Sequence, residues 1–85
     1  MKQDASFFDG HEPELVYIAK RLRDALEVEG LFEAAGVDFG VETDKYTGGL
    51  LFRSERVGAF FYVLPEAAEA ARDVLKNHGF KPSVQ

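Results

Sequence analysis

Apolar and polar positions alternate most cleanly over Val37-Asp38-Phe39-Gly40-Val41-Glu42-Thr43, with Val37, Phe39 and Val41 on one side and Asp38, Gly40 and Glu42 on the other. Successive strand residues point to opposite faces, so this run predicts a strand with one buried face. Val57-Gly58-Ala59-Phe60-Phe61-Tyr62-Val63 is different, because it is apolar on both sides. Ala59, Phe61 and Val63 share one face, and Phe60 and Tyr62 share the other. Between these runs, Asp44 to Gly49 has loop composition, Leu50-Leu51-Phe52-Arg53 predicts a short strand, and Ser54-Glu55-Arg56 predicts a turn.

Helical signals follow the second run. Pro65-Glu66 is a start signal, with the acid suited to the positive end of the helix dipole. The predicted apolar side is Ala67, Ala68, Ala71, Val74, Leu75 and His78, a thin stripe that suits close packing on a sheet. Gly79 and Gly36 stand where helices commonly end in a left-handed residue. Phe80 to Val84 predicts an edge strand limited by Pro82.

Leu15 to Ala35 supports two readings. As one helix begun near Pro13, it places Leu15, Ile18, Ala19, Leu22, Ala25 and Leu26 on one face. As strand then helix, Leu15-Val16-Tyr17-Ile18-Ala19 is a β-rich run and the helix starts near Lys20 or Arg21. Periodicity favours the first, and the lack of a turn-forming residue counts against the second. Glu29 discriminates between them: a continuous helix buries it and demands a cation such as Arg21 or Arg53, whereas a strand frees it for solvent. Gly30 costs about 1 kcal/mol in a helix interior relative to Ala.

At 85 residues the chain is expected to form one domain. Residues 1–13 read as a polar tail and 14–85 as a single α+β domain. Phe7 and Phe8 either pin the tail into a groove or hang free, and the pattern does not choose. So short a chain buries only roughly 60 to 65% of its unfolded surface. With no cysteine for disulfides, oligomerisation is the readiest source of further burial. A net charge of -5 opposes nucleic-acid binding. No leader-like N-terminus and no apolar run of membrane-spanning length stand in the sequence, so a soluble cytoplasmic protein without a membrane partner is expected.

A two-layer domain covers one sheet face with its helices, which leaves the aromatics of the other face for a second subunit. Phe60 and Tyr62, joined by Tyr17 and Leu51, are therefore the expected homo-oligomer interface. Lys45, Tyr46, Arg53 and Arg56 surround Gly48-Gly49 and form a candidate site for a small anionic ligand. Solvated hairpin charges paired with Glu42, Asp44 and Glu55 explain the same residues without a ligand. Asp9, His11 and Glu12 carry metal-ligating groups but lack a second cluster to complete a shell. Thr43, Thr47, Ser54, His11 and His78 make no recognisable nucleophile–base set, and no cofactor is implied.

Two fragments carry a family resemblance. Ala25-Leu26-Glu27-Val28-Glu29-Gly30-Leu31-Phe32-Glu33-Ala34-Ala35-Gly36-Val37 and Val63-Leu64-Pro65-Glu66-Ala67-Ala68-Glu69-Ala70-Ala71-Arg72-Asp73-Val74-Leu75 resemble the helix and the strand-Pro-Glu-helix ending of a group of short bacterial domains. These are catalogued as prokaryotic signal-transducing proteins and grouped by fold with the PII-like, ferredoxin-like class. The resemblance implies a two-layer α+β sandwich, an antiparallel sheet with two helices on one face, and a first strand around Tyr17. By topology alone it sets residues 43–56 in the place of the loop through which PII-like proteins contact effectors and partners, and it implies a fold rather than a role. A non-enzymatic regulatory or protein-interaction domain is expected instead from the lack of a catalytic set and from the open sheet face, with a small-molecule or anion sensor using residues 43–56 as the alternative. The N-terminal residues and the Lys45 to Arg56 insertion depart from the family pattern.

Overall fold

The computed structural model describes residues 1–48 and 54–83, with 45–48 and 54–56 through their backbone. Element order is β1 (Glu14–Ala19), α1 (Leu22–Ala35), β2 (Gly40–Gly48), β3 (Ser54–Val63) and α2 (Ala68–Asn77), with 3-10 turns at Ala5–Phe8 and Pro65–Ala67. The three strands form one sheet in the order β1-β3-β2. β3 is antiparallel to both neighbours, so β1 and β2 run the same way and α1 is the crossover between them. The class is α+β, as the pattern predicts.

Leu15 to Ala35 is therefore strand then helix. The missing turn residue is supplied by backbone geometry: Arg21 is extended (φ -129, ψ 143) and its carbonyl accepts from the Ala25 amide at 3.1 Å. The break at Lys20-Arg21 also resets the helix phase. Ala25, Val28 and Phe32 face the core, while Leu22 and Leu26, inward in the single-helix reading, are 75% and 59% exposed. Glu29 lies half-buried at the domain's rim, and its partner is Lys2 at 3.0 Å rather than Arg21 or Arg53.

Both helices end as their glycines predict. Gly36 and Gly79 have φ 72 and 82, and the Val37 and Phe80 amides reach back to the carbonyls of Phe32 and Leu75. These 6→1 bonds satisfy carbonyls that would otherwise lack partners. They also turn Val37 and Phe80 onto the core, where Phe80 packs edge-on against Tyr17 at 5.5 Å.

The core lies on one side of the sheet. Val16, Ala19, Phe39, Phe61 and Val63 meet Ala25, Val28 and Phe32 of α1 and Ala68, Ala71 and Leu75 of α2 in a single cluster. Three phenylalanines join its layers: Phe32 lies 5.4 Å from Phe39 and 6.1 Å from Phe61, and Phe39 stacks on Phe61 at 6.0 Å.

β2 and β3 both extend further into the hairpin than their composition predicts. β2 continues through Asp44-Lys45-Tyr46-Thr47 to Gly48, and Ser54-Glu55-Arg56 belongs to β3 rather than a turn. Cross-strand pairing from Gly40↔Tyr62 to Gly48↔Ser54 outweighs the polar composition that suggested a loop. Beyond Ala19↔Ala59 the hairpin runs on without β1, so Val57 is 63% exposed. The predicted strand Leu50 to Arg53 lies outside the described residues.

Phe80 to Ser83 forms no strand, although the Ser83 amide donates to the Val16 carbonyl at 2.8 Å beside β1. At the opposite edge, Lys2 bridges Phe39 in parallel, with Gln3 N to Phe39 O at 2.8 Å and Phe39 N to Met1 O at 3.1 Å.

Candidate functional site

The sheet face turned away from the helices is built in cross-strand rows. Tyr62 of β3 pairs with Leu15 on one side and Gly40 on the other, and Phe60 pairs with Ile18 and Glu42. Paired residues share a face, so Leu15, Tyr62 and Gly40 form one row and Ile18, Phe60 and Glu42 the next. Leu15, Ile18, Phe60 and Tyr62 are all half-buried, and none belongs to or packs on the core cluster.

Tyr17 does not join this face. A bulge between Leu15 and Tyr17 inserts Val16, so Tyr17 pairs with Phe61 and turns towards the helices. Its ring sits 6.4 Å from Phe61. The alternation Leu15-Val16-Tyr17-Ile18 hid this, because one extra residue moves every following side chain to the other face. Leu15 and Ile18 take the place expected of Tyr17. Leu51 lies outside the described residues.

Residues 1–13 fold across one end of the same face. Of the two alternatives for the Phe7-Phe8 pair, the structure takes the pinned one. Phe8 packs on the bare backbone of Gly40, so closely that a Cβ there would stand 2.6 Å from the ring. Phe7 braces it edge-on at 5.1 Å. Between this segment and the sheet is an open cleft of about 830 Å³, lined by Lys2, Gln3, Asp4, Ala5, Phe8, Pro13, Gly40, Val41, Glu42 and Tyr62. Sequence reasoning missed it. The available signal was Gly40 itself, a glycine in the outward row of an otherwise regular strand, which often marks close approach by another group.

Burial pushes the Tyr62 phenol above its ordinary value near 10, and the Glu42 and Asp44 carboxylates push it further. Tyr17 is raised first by burial and then by Asp24, with Glu27 adding to this and Arg21 opposing it. Arg21 also bonds Asp24 directly, Nε to Oδ2 at 3.1 Å.

Of the candidate anion site, Tyr46 pairs with Arg56 and Lys45 with Val57 along the hairpin, and Arg53 lies outside the described residues. Lys45 thus occupies the register position of opposite face to Tyr46 and Arg56. Asp9, His11 and Glu12 are exposed, and no group of three His, Asp or Glu that could hold a metal occurs among the described residues. His78 is exposed at the end of α2, with Nδ1 3.0 Å from the Val74 carbonyl, a capping position. No helix among the described residues is long and apolar enough to cross a membrane.

Comparison of the chain with models of protein families, with curated proteins and with solved structures finds no match.

Proposed function

We propose that this chain is a non-enzymatic regulatory or protein-interaction domain that associates with copies of itself through the helix-free face of its sheet. The observation that carries this reading is the apolar group Leu15, Ile18 and Phe60, with Tyr62 at its border, on the side opposite both helices. Residues 1–13 cover the Tyr62–Gly40 end, and no helix or strand among the described residues covers the Ile18–Phe60 pair on that face. A group of this kind, in a domain with a small core, gains burial most readily from a second copy.

Edge-to-edge pairing is the weaker route to assembly. Residues 1–3 occupy the outer side of Phe39 and Ser83 that of Val16, while Glu42 and Asp44 place charge along β2. Strand order also supports the ferredoxin-like or PII-like layout: β1-β3-β2 with a split βαβ, and chain running beside β1 where that layout has its fourth strand.

Sedimentation of the parent against Ile18→Ser and Phe60→Ser tests the reading. The parent is expected at a multiple of the chain mass, and the variants, with unchanged circular dichroism, at the mass of one chain. A parent that sediments as one chain, or folded variants that keep the parent's mass, would contradict it.

A further inference from the structure

The geometry points to the cleft between residues 2–13 and the sheet as a binding site for a small organic amine with an apolar body, its ammonium at Glu42 and its body between Phe8, Pro13 and Tyr62.

Size comes first. About 830 Å³ lies within the range of pockets that hold small molecules, roughly 300 to 1,000 Å³. The walls have the usual character of such a site, mostly apolar with a few fixed polar groups. Phe8 and Tyr62 supply ring surface, Pro13 aliphatic surface, and the bare Gly40 backbone a floor on which Phe8 already rests.

Charge then selects the ligand. The cleft's cation, Lys2, is held by Glu29 at 3.0 Å and neutralised there. Asp4 carries its own hydrogen bond, accepting from Ser6 Oγ at 2.6 Å. Glu42 has neither hydrogen bond nor ion pair among the described residues, and it stands in the row beside Tyr62. The negative field of Glu42 and Asp44 is felt at the Tyr62 phenol, which they help to keep protonated. A cation entering here meets a carboxylate with no partner among the described residues and two aromatic rings whose faces attract positive charge. An anion meets the carboxylates of Asp4 and Glu42 and a lysine already engaged by Glu29. The chain's net charge of -5 favours the same approach at long range.

Protein-observed NMR titration with three near-isosteric probes tests this: 2-phenylethylamine, 2-phenylethanol and phenylacetate. Saturable shifts at the amides of Gln3, Gly40, Val41 and Tyr62 are expected with the amine, weaker ones with the alcohol and none with the carboxylate. Glu42→Gln, at an exposed position that leaves the fold intact, is expected to weaken the amine roughly fivefold and bring it level with the alcohol. Tyr62→Leu is expected to weaken amine and alcohol together. No saturable shift with the amine, equal binding of the carboxylate, or an amine affinity unchanged in Glu42→Gln would each overturn the assignment. Glu42 shares its row with Ile18 and Phe60, so the titration is repeated with Ile18→Ser, which alters the proposed self-association face but no residue lining the cleft. The same amine shifts are expected there, and their absence in both chains would overturn the assignment whatever the state of association.

Discussion

Gly40 stands where the N-terminal segment meets the sheet, and the missing Cβ is what admits the Phe8 ring. Gly40→Ala is expected to destabilise the fold by about 1 to 3 kcal/mol, the usual cost of overpacking a closed contact. In a Phe8→Ala background the same change is expected to be neutral or slightly stabilising, since Ala is the better strand residue once the ring is gone. Urea unfolding of the four chains checks this, and an equal cost in both backgrounds would show that the ring is not docked there. Gly30 is the opposite case. It is exposed within α1, and a Cβ there meets nothing within 4 Å, so it makes no close approach to the sheet. Gly30→Ala is expected to raise stability by about 0.5 to 1 kcal/mol, read as a higher urea midpoint at unchanged slope.

Along the elements, β3 passes from core to open hairpin within one face. Val63 is 0% exposed among α1 and α2 residues, whereas Val57 is 63% exposed past the end of β1. Val63→Thr is expected to cost about 1 to 3 kcal/mol, because its hydroxyl has to be buried. Val57→Thr is expected to stay within about 0.5 kcal/mol of the parent in the same unfolding assay. A large loss at Val57 would mean that another surface covers it. The face assignment of β3, the buried side of β2 and both glycine caps were legible because each rests on local periodicity or a left-handed turn. The start of α1 was legible only as an alternative, since Leu15 to Leu26 satisfies strand and helix templates alike. The bulge at Val16 was not legible at all: it depends on pairing with β3, and no residue type marks it. The cleft stayed hidden for a related reason, as it joins residues 2–13 to Tyr62 across most of the chain length.

At the scale of the whole molecule, two helices shelter one sheet face, and the N-terminal segment shelters one end of the other. Among the described residues, apolar side chains outside the core include the Leu15–Ile18–Phe60 group, Leu22 with Leu26 on the outer side of α1, and the singly exposed Met1 and Val57. The first is assigned to assembly because it lies on a flat sheet face, where a second copy can bury it by stacking face to face. Leu22 and Leu26 are two side chains one turn apart on an exposed helix, a common surface feature. Isotope-filtered NOE spectroscopy on a mixture of labelled and unlabelled chains distinguishes the two most directly. Contacts from the Ile18 methyls of one chain to the Phe60 ring of another are expected. Their absence, or intermolecular contacts confined to Leu22 and Leu26, would contradict the account.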